Sequence, residues 1–412
     1  MYQLLQGLRI VEGASFIAAP SCCLHLLQMG AEVIRFDDIG GGPDFRRWPL
    51  APNGQSLYWE GLNKGKKSIA VDLRKPQGRE LVSQLVTAPG PQAGIFVTNF
   101  PADGFLAHEG LAASRPDLIT VRVMGWADGN PAVDYTINSA VGLPYMTGPT
   151  DAVGPVNHVL PAWDLLAGAY AAFSVLALER QRALTGRGGE FKLPLSDLAI
   201  AHMGHLGQIA EVSISGTDRP RMGNDLNGAF GRDFETADGQ RVMIVAITPR
   251  QWSGLIQSLK LAEPVAQLER QLGVSFASDA GLRFTHRERL FPLVDQVVKS
   301  RRHADLTATF DSQGVCWGPY QTLKEAIETD PRFGSDNAIL QTIEHVSGHR
   351  YPTPGVAGTI AGMARQLPTR APHLGEHTDE ILAGVLELSD AEIGRLHDSG
   401  VVASSNEIKV AP

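Results

Sequence analysis

The sequence predicts an α/β protein whose first half is a doubly wound, mainly parallel sheet, followed by a smaller α+β domain. Three observations carry this. Leu8–Glu12 (LRIVE) and Ala31–Asp37 (AEVIRFD) read as buried strands on either side of a short helix. A strand, a helix and a strand within about thirty residues form a βαβ unit, which requires parallel pairing. More segments of the same kind follow up to residue 124, and the composition then shifts beyond residue 216.

Taken in order, the loop GASFIAAP leaves the first strand and enters a helix over Ser21–Met29, which Gly30 stops. Ser68–Leu73 reads as a strand, Gly78–Val86 as a helix, and Ala93–Asn99 and Leu118–Met124 as further strands. A long helix is predicted from Pro161 to about Leu184, with proline suited to a first helical position and TGRGG as the stop. Phe191–Leu195 returns as a strand and Leu198–Val212 as a helix. Thr217–Gly231 is rich in Gly, Asn, Asp and Arg, the composition of a linker or a site loop. Phe234–Ile247 reads as a hairpin with Asp238-Gly239 at its tip. Helical segments around 250–273 and 287–312, a proline- and glycine-rich passage over Pro352–Pro372 and a final helical pair complete the chain.

The bulk properties exclude several function classes. A chain of 412 residues exceeds what one core usually organises, so two domains are expected. The net charge of −8 confines any polyanion contact to a local patch, and no nucleic-acid partner is expected. Cys22, Cys23 and Cys316 form no disulfide framework and fit a reducing, cytoplasmic compartment. The opening MYQLLQGLRI lacks the basic and apolar regions of a signal peptide. The apolar run after Pro161 approaches membrane-spanning length. Asp164, Gly168 and Ser174 interrupt it, so a helix buried in the protein is expected and no membrane partner. Neither metal-ligand spacing nor a GxGxxG turn is present, which disfavours a metal centre and a dinucleotide cofactor.

Asp164 is the only charged residue in VLPAWDLLAGAYAAFSVLAL. A bare carboxylate there is costly unless something holds it, and the first turn of the long helix supplies free N–H groups and a positive dipole end. An ionised carboxylate shielded from water suits a covalent nucleophile; the same residue also fits an ordinary acidic helix start. Asn63–Arg79 carries six basic residues against one acid. Lys64, Lys66 and Lys67 around Gly65 suit the dispersed phosphates of a nucleotide carrier, or a solvated face. Asp37 sits where an acid binds a ribose, or where a strand simply ends in solvent. His158, His202 and His205 form no Ser/His/Asp set, and no GxSxG elbow appears.

These segments, in this order, resemble the family III CoA-transferases, the group containing formyl-CoA transferase, carnitine CoA-transferase and α-methylacyl-CoA racemase. LQGLRIVEGASFIAAP, GAEVIRFDDIGGGPDFRRW, LNKGKKSIAVDLRKPQGRE, VTNFPA, PAWDLLAG, TGRGGEFKLPLSD, FETADGQRV, VCWGPYQTLKEAIETDPRF and LGEHTDEIL carry the likeness across nearly the whole chain. The resemblance implies a Rossmann-like large domain built from both chain ends (1–212 and 346–412), a small central domain (225–345) and an interlocked homodimer. It implies Asp164 as the catalytic nucleophile and an acyl-CoA substrate, with no cofactor beyond the CoA of the thioester. CoA contacts are implied from Ser15, Phe16, Ala18, Asp37, Asn63, Lys64, Lys66, Lys67, Asn99 and Phe100. Ile17, Arg47, Tyr135, Tyr145 and His158 are candidates for the acyl pocket, and backbone N–H groups of Ser15–Ala19 for an oxyanion hole.

Two departures narrow the activity. Formyl-CoA transferase has a glutamine at the place of Ile17 and a longer glycine-rich lid than NGAFG (227–231), which points away from an external acid acceptor. Tyr135 stands where the racemase has its catalytic histidine, which disfavours a two-base epimerase. VEGASFIAAP, FDDIGGG, YTINSAVGLPYMTGP, VNHVLPAWD, DRPRMGN and GAFGRDFET resemble members that move CoA between the two carboxyl groups of one dicarboxylic acid.

Overall fold

The strand-like runs at the start of the chain do assemble side by side. In the computed structural model, which describes residues 1–408, β1 (Arg9–Gly13), β2 (Glu32–Asp37), β3 (Lys67–Val71), β4 (Ile95–Thr98), β5 (Ile119–Met124) and β6 (Gly189–Pro194) form one sheet in the order β3-β2-β1-β4-β5-β6. All five pairings are parallel, so the strands are joined by crossover connections and not by hairpins. The order reverses direction between β1 and β4, and in such sheets ligands bind outside the carboxyl ends at that switch point.

The strands are buried on both faces, which explains their nearly unbroken apolar runs. On one face Val11, Ile34, Phe36, Ile69 and Phe96 pack with Leu81, Val82 and Leu85 of the helix Pro76–Thr87, and with Ile381, Leu382 and Ile393 of the final helical pair. The chain end closes the sheet: β12 (Val402–Ala403) pairs antiparallel with β3, and the Thr378 hydroxyl donates to Ala403 O at 2.8 Å. The helices Ala18–Gln28 and Ala162–Thr185 pack against each other. Gly168 makes that approach possible, because a Cβ there would lie 1.9 Å from Ser21 Oγ and 2.9 Å from Ala18 O. The longer helix is apolar and long enough to cross a membrane by length and composition, but its buried residues Ala167, Gly168, Ala171 and Val175 face protein.

The chain divides into two compact units, one made of Met1–Val141, Val159–Glu211 and the chain from Gly334 on, the other of Gly142–His158 and Val212–Phe333. The expected boundaries shift accordingly. Residues 142–158 leave the large unit, and the pair β10 (Leu340–Glu344) and β11 (Arg350–Pro354) joins it. In the second unit β7 (Phe230–Glu235), β8 (Arg241–Ala246) and β9 (Cys316–Tyr320) form an antiparallel sheet, with Phe230, Ile244, Trp252, Phe276, Phe291 and Phe310 in its core.

Several element boundaries differ for local reasons. The first helix starts at Ala18 and not Ser21, because proline is tolerated in a first turn. Pro161 caps the long helix from outside and Ala162 is its first residue. The helix predicted over Leu198–Val212 is two helices, Leu195–His205 and Gln208–Ser215, parted by Gly207 at a φ of +75°.

Candidate active site

The loop leaving β1 is clamped from both sides. Asn99, just past β4, accepts from Ser15 N–H at 3.0 Å and donates to Ser15 O at 2.7 Å, while the Thr98 hydroxyl donates to Gly13 O at 2.7 Å. Phe16 adopts a φ of +71°, which costs a non-glycine residue energy, and its N–H donates to Asp44 Oδ1 at 2.9 Å. Asp44 is in turn fixed by Arg35 at 3.0 Å.

Beneath the loop lies a fully buried ionic network. Arg35 holds Asp37 through two bonds of 2.9 Å and reaches Glu12 at 3.1 Å. Lys66 forms an ion pair with Glu12 at 2.7 Å and donates to Pro20 O and Asn63 Oδ1 at 3.0 Å. Breaking such a network leaves buried charge uncompensated, so it fixes the loop rigidly.

The structure divides the expected CoA residues into two groups. Lys66, Asn63 and Asp37 point into the protein and bond one another or Arg35. Lys67 opens β3 and pairs with Glu32 and Glu380 at 2.7 Å, on the amino edge of a parallel sheet whose ligands bind at the carboxyl edge. Lys64 precedes it and is buried, and desolvation pulls its pKa down to about 8. The basic residues at the carboxyl edge of β3 are Arg74 and Lys75, from the same seventeen-residue stretch. Arg74 is largely exposed beside Asp72, and Lys75 donates to Gly400 O at 2.8 Å. The basic stretch signalled them, but only strand direction separates them from the lysines. Ser15, Phe16, Ala18, Asn99 and Phe100 do gather at the carboxyl edge, with buried Ile17 between them.

Asp164 is the third residue of its helix, but the helix start does not hold its carboxylate. Asp134 Oδ2 accepts the N–H of Trp163 at 2.7 Å and of Asp164 itself at 3.1 Å, taking the donors expected to stabilise Asp164. Trp163 Nε1 donates to Asn138 at 3.2 Å and locks the cap in place. Burial, then the nearby Asp134 charge, push the Asp164 pKa up to about 7 against the pull of Arg47. Sequence reasoning missed Asp134, because a cap supplied from thirty residues upstream leaves no local signature.

Tyr58 also senses Asp164. Burial pushes its phenol up, and its hydroxyl has no hydrogen-bond partner among the described residues. Tyr135 is half exposed and donates to Val159 O at 3.4 Å. Tyr145 and His158 belong to the second unit. The N–H groups of Ser15 and Phe16 are engaged by Asn99 and Asp44, so they leave the expected oxyanion set; those of Ile17, Ala18 and Ala19 open the first helix, where N–H groups lack intrahelical acceptors. Among the described residues, no group of three His, Cys, Asp or Glu side chains could hold a metal ion.

The sheet order is that of a Rossmann-like frame, and a half-buried carboxyl, Asp164, stands in the first turn of the helix that packs on Ala18–Gln28. The chain belongs to CoA-transferase family III, which it matches over residues 5–378. It is 49% identical over 98% of both chains to a 2-methylfumaryl-CoA isomerase of Chloroflexus aurantiacus. It is 28% identical to a succinyl-CoA:mesaconate CoA-transferase of Haloarcula hispanica, over 92% of this chain and 96% of that one. A solved CAIB/BAIF family protein from Brucella suis superposes with a TM-score of 0.75 at 26% identity, covering 93% of this chain and all of that one.

Proposed function

We propose that this family III CoA-transferase moves CoA within one molecule, from the C1 to the C4 carboxyl of mesaconyl-CoA, converting 2-methylfumaryl-CoA to 3-methylfumaryl-CoA. The observation that carries this is the 49% identity, end to end, with an enzyme named for that isomerisation. Asp164 is the nucleophile. Its carboxylate attacks the C1 thioester carbonyl, the C–S bond breaks, and a mixed anhydride and CoA thiolate result. The thiolate attacks the aspartyl carbonyl, giving an aspartyl-CoA thioester and free diacid. The diacid stays and presents C4, whose carboxylate expels the thiolate again. Attack of thiolate on the C4 carbonyl then releases Asp164.

Retention makes the second half nearly intramolecular, a large entropic advantage. Ile17, Ala18 and Ala19 N–H groups stabilise the tetrahedral oxyanion, and the Ile17 side chain keeps water from the anhydride. Ser15, Phe16, Asn99 and Phe100 receive the CoA arm, with Arg74 and Lys75 for its phosphates. Tyr135, in the same unit as Asp164, remains an acyl-pocket candidate. The reaction needs no cofactor beyond the CoA of the substrate. The enzyme is cytoplasmic, without a membrane or nucleic-acid partner, and works as an interlocked homodimer. Tyr170, Phe173, Leu176 and Leu184 on the long helix, with Ile200 and Leu206, expose an apolar face of the kind that marks an interface.

The test is incubation of mesaconyl-C1-CoA with pure protein and no added acid, followed by chromatography. Appearance of the C4 thioester supports the reading. The second reading is intermolecular transfer, favoured by the relative that acts between succinyl-CoA and mesaconate. Labelled free mesaconate entering the product would establish it.

A further inference from the structure

Arg47 follows the short turn Pro43–Arg46 and is anchored by its backbone, with N–H donating to Asp44 O at 3.4 Å and C=O accepting from Ser56 Oγ at 2.7 Å. Its side chain is fixed differently. The guanidinium carbon lies 5.1 Å from the Phe16 ring centre and 4.9 Å from the Tyr58 ring centre. Among the described residues, no hydrogen bond and no carboxylate within 4 Å engages it.

Its neighbours show how unusual this is. Arg35 spends its donors on Glu12, Asp37 and Asp44, and Arg74 is paired with Asp72. Arg47 keeps five N–H donors unspent in a planar fork, steadied by aromatic rings that accept charge and not hydrogen bonds. One of those rings belongs to Phe16, whose left-handed backbone is upheld by Asp44 and whose neighbour Ser15 is clamped by Asn99. Strain maintained to present a ring to an unpaired guanidinium marks a functional arrangement. Arg47 lies near enough to Asp164 to draw its pKa down, and no ion pair joins the two among the described residues.

We propose that Arg47 is the carboxylate anchor of the acyl pocket, binding whichever carboxyl group of the dicarboxylic acyl unit is not joined to Asp164 or CoA. It holds C4 while C1 reacts, and C1 after the acid has turned. This rests on the proposed function and extends it, because it names the group that selects diacids and retains the free acid between half-reactions. No bond is made or broken at Arg47. A planar fork meets both ends of a diacid equally well, since carboxylates at either end present the same two oxygens.

The experiment compares wild type, Arg47→Met and Arg47→Lys on mesaconyl-C1-CoA and on methacrylyl-CoA, the same acyl unit lacking the second carboxyl. Hydroxylamine intercepts the acyl-aspartyl anhydride, and released CoA thiol is measured. Loss of a charged hydrogen-bonded pair should lower kcat/KM for the diacid thioester about 10- to 100-fold in Arg47→Met. Assayed at about pH 9, where Asp164 is ionised with or without the Arg47 charge, methacrylyl-CoA should lose far less than the diacid thioester, with Arg47→Lys intermediate on the diacid. Arg47→Met should also let labelled free mesaconate enter the product, which wild type does not. Equal loss on both thioesters, or undiminished diacid preference, overturns the anchor. A wild type that releases no CoA to hydroxylamine from either thioester refutes the Asp164 reading itself, and this proposal with it.

Discussion

At Asp164 two destabilising influences, burial and the Asp134 charge, outweigh the attraction of Arg47. In the proposed mechanism the carboxylate is the attacking form, so kcat/KM should rise with pH through about 7 and level off above it. Asp134→Asn keeps an oxygen acceptor for the two capped N–H groups and removes the charge. Its acid limb should therefore move to lower pH, and a pH–rate profile that stays put or moves upward would contradict the coupling. Asp164→Asn should abolish transfer while retaining CoA binding by calorimetry. Stability gives an independent reading. A carboxyl whose folded pKa is raised stabilises the fold fully below its unfolded pKa and loses that contribution as pH rises through about 7. Asp164→Asn should therefore melt at a higher temperature than wild type at pH 8, with little difference at pH 4, as scanning fluorimetry would show.

Among the elements, the contact between helices Ala18–Gln28 and Ala162–Thr185 sets where the first turn carrying Asp164 lies relative to the helix that follows the first loop. Gly168→Ala places a Cβ 2.9 Å from the Ala18 carbonyl, a backbone atom that cannot rotate away. The cost should be about 1–3 kcal/mol in urea unfolding, with kcat lowered as the helix start shifts. The ionic network under the loop belongs to the same scale. Arg35→Met strands Asp37 and Asp44 without their cation and should cost about 3–5 kcal/mol. A loss below about 1 kcal/mol would show that the loop is not held from beneath. These elements were legible in the sequence wherever an apolar run met a glycine stop, as at β1, β2 and the long helix. They were illegible where pairing is long-range. Nothing local announces that β12 returns to β3, or that Gly142–His158 joins the second unit.

For the whole molecule, the exposed apolar face of the long helix predicts self-association. Phe173 is 65% exposed there, and Phe173→Glu should shift the protein towards monomer in sedimentation. An unchanged assembly state would move the interface elsewhere. The sequence by itself determined the parallel α/β architecture and the helix that carries Asp164, because hydrophobic periodicity and turn residues act over short distances; the family came from the resemblance of its segments. Tertiary structure alone decided which basic residues lie at the carboxyl edge of the sheet, since that depends on strand direction. It also decided that Asp134 and not Asp164 caps the helix, and that the Arg47 guanidinium stacks on Phe16 and Tyr58 without a hydrogen-bond or carboxylate partner among the described residues. Each of these is a relation between groups distant in sequence. Burial and charge at such a meeting point depend on the folded arrangement and not on any one segment.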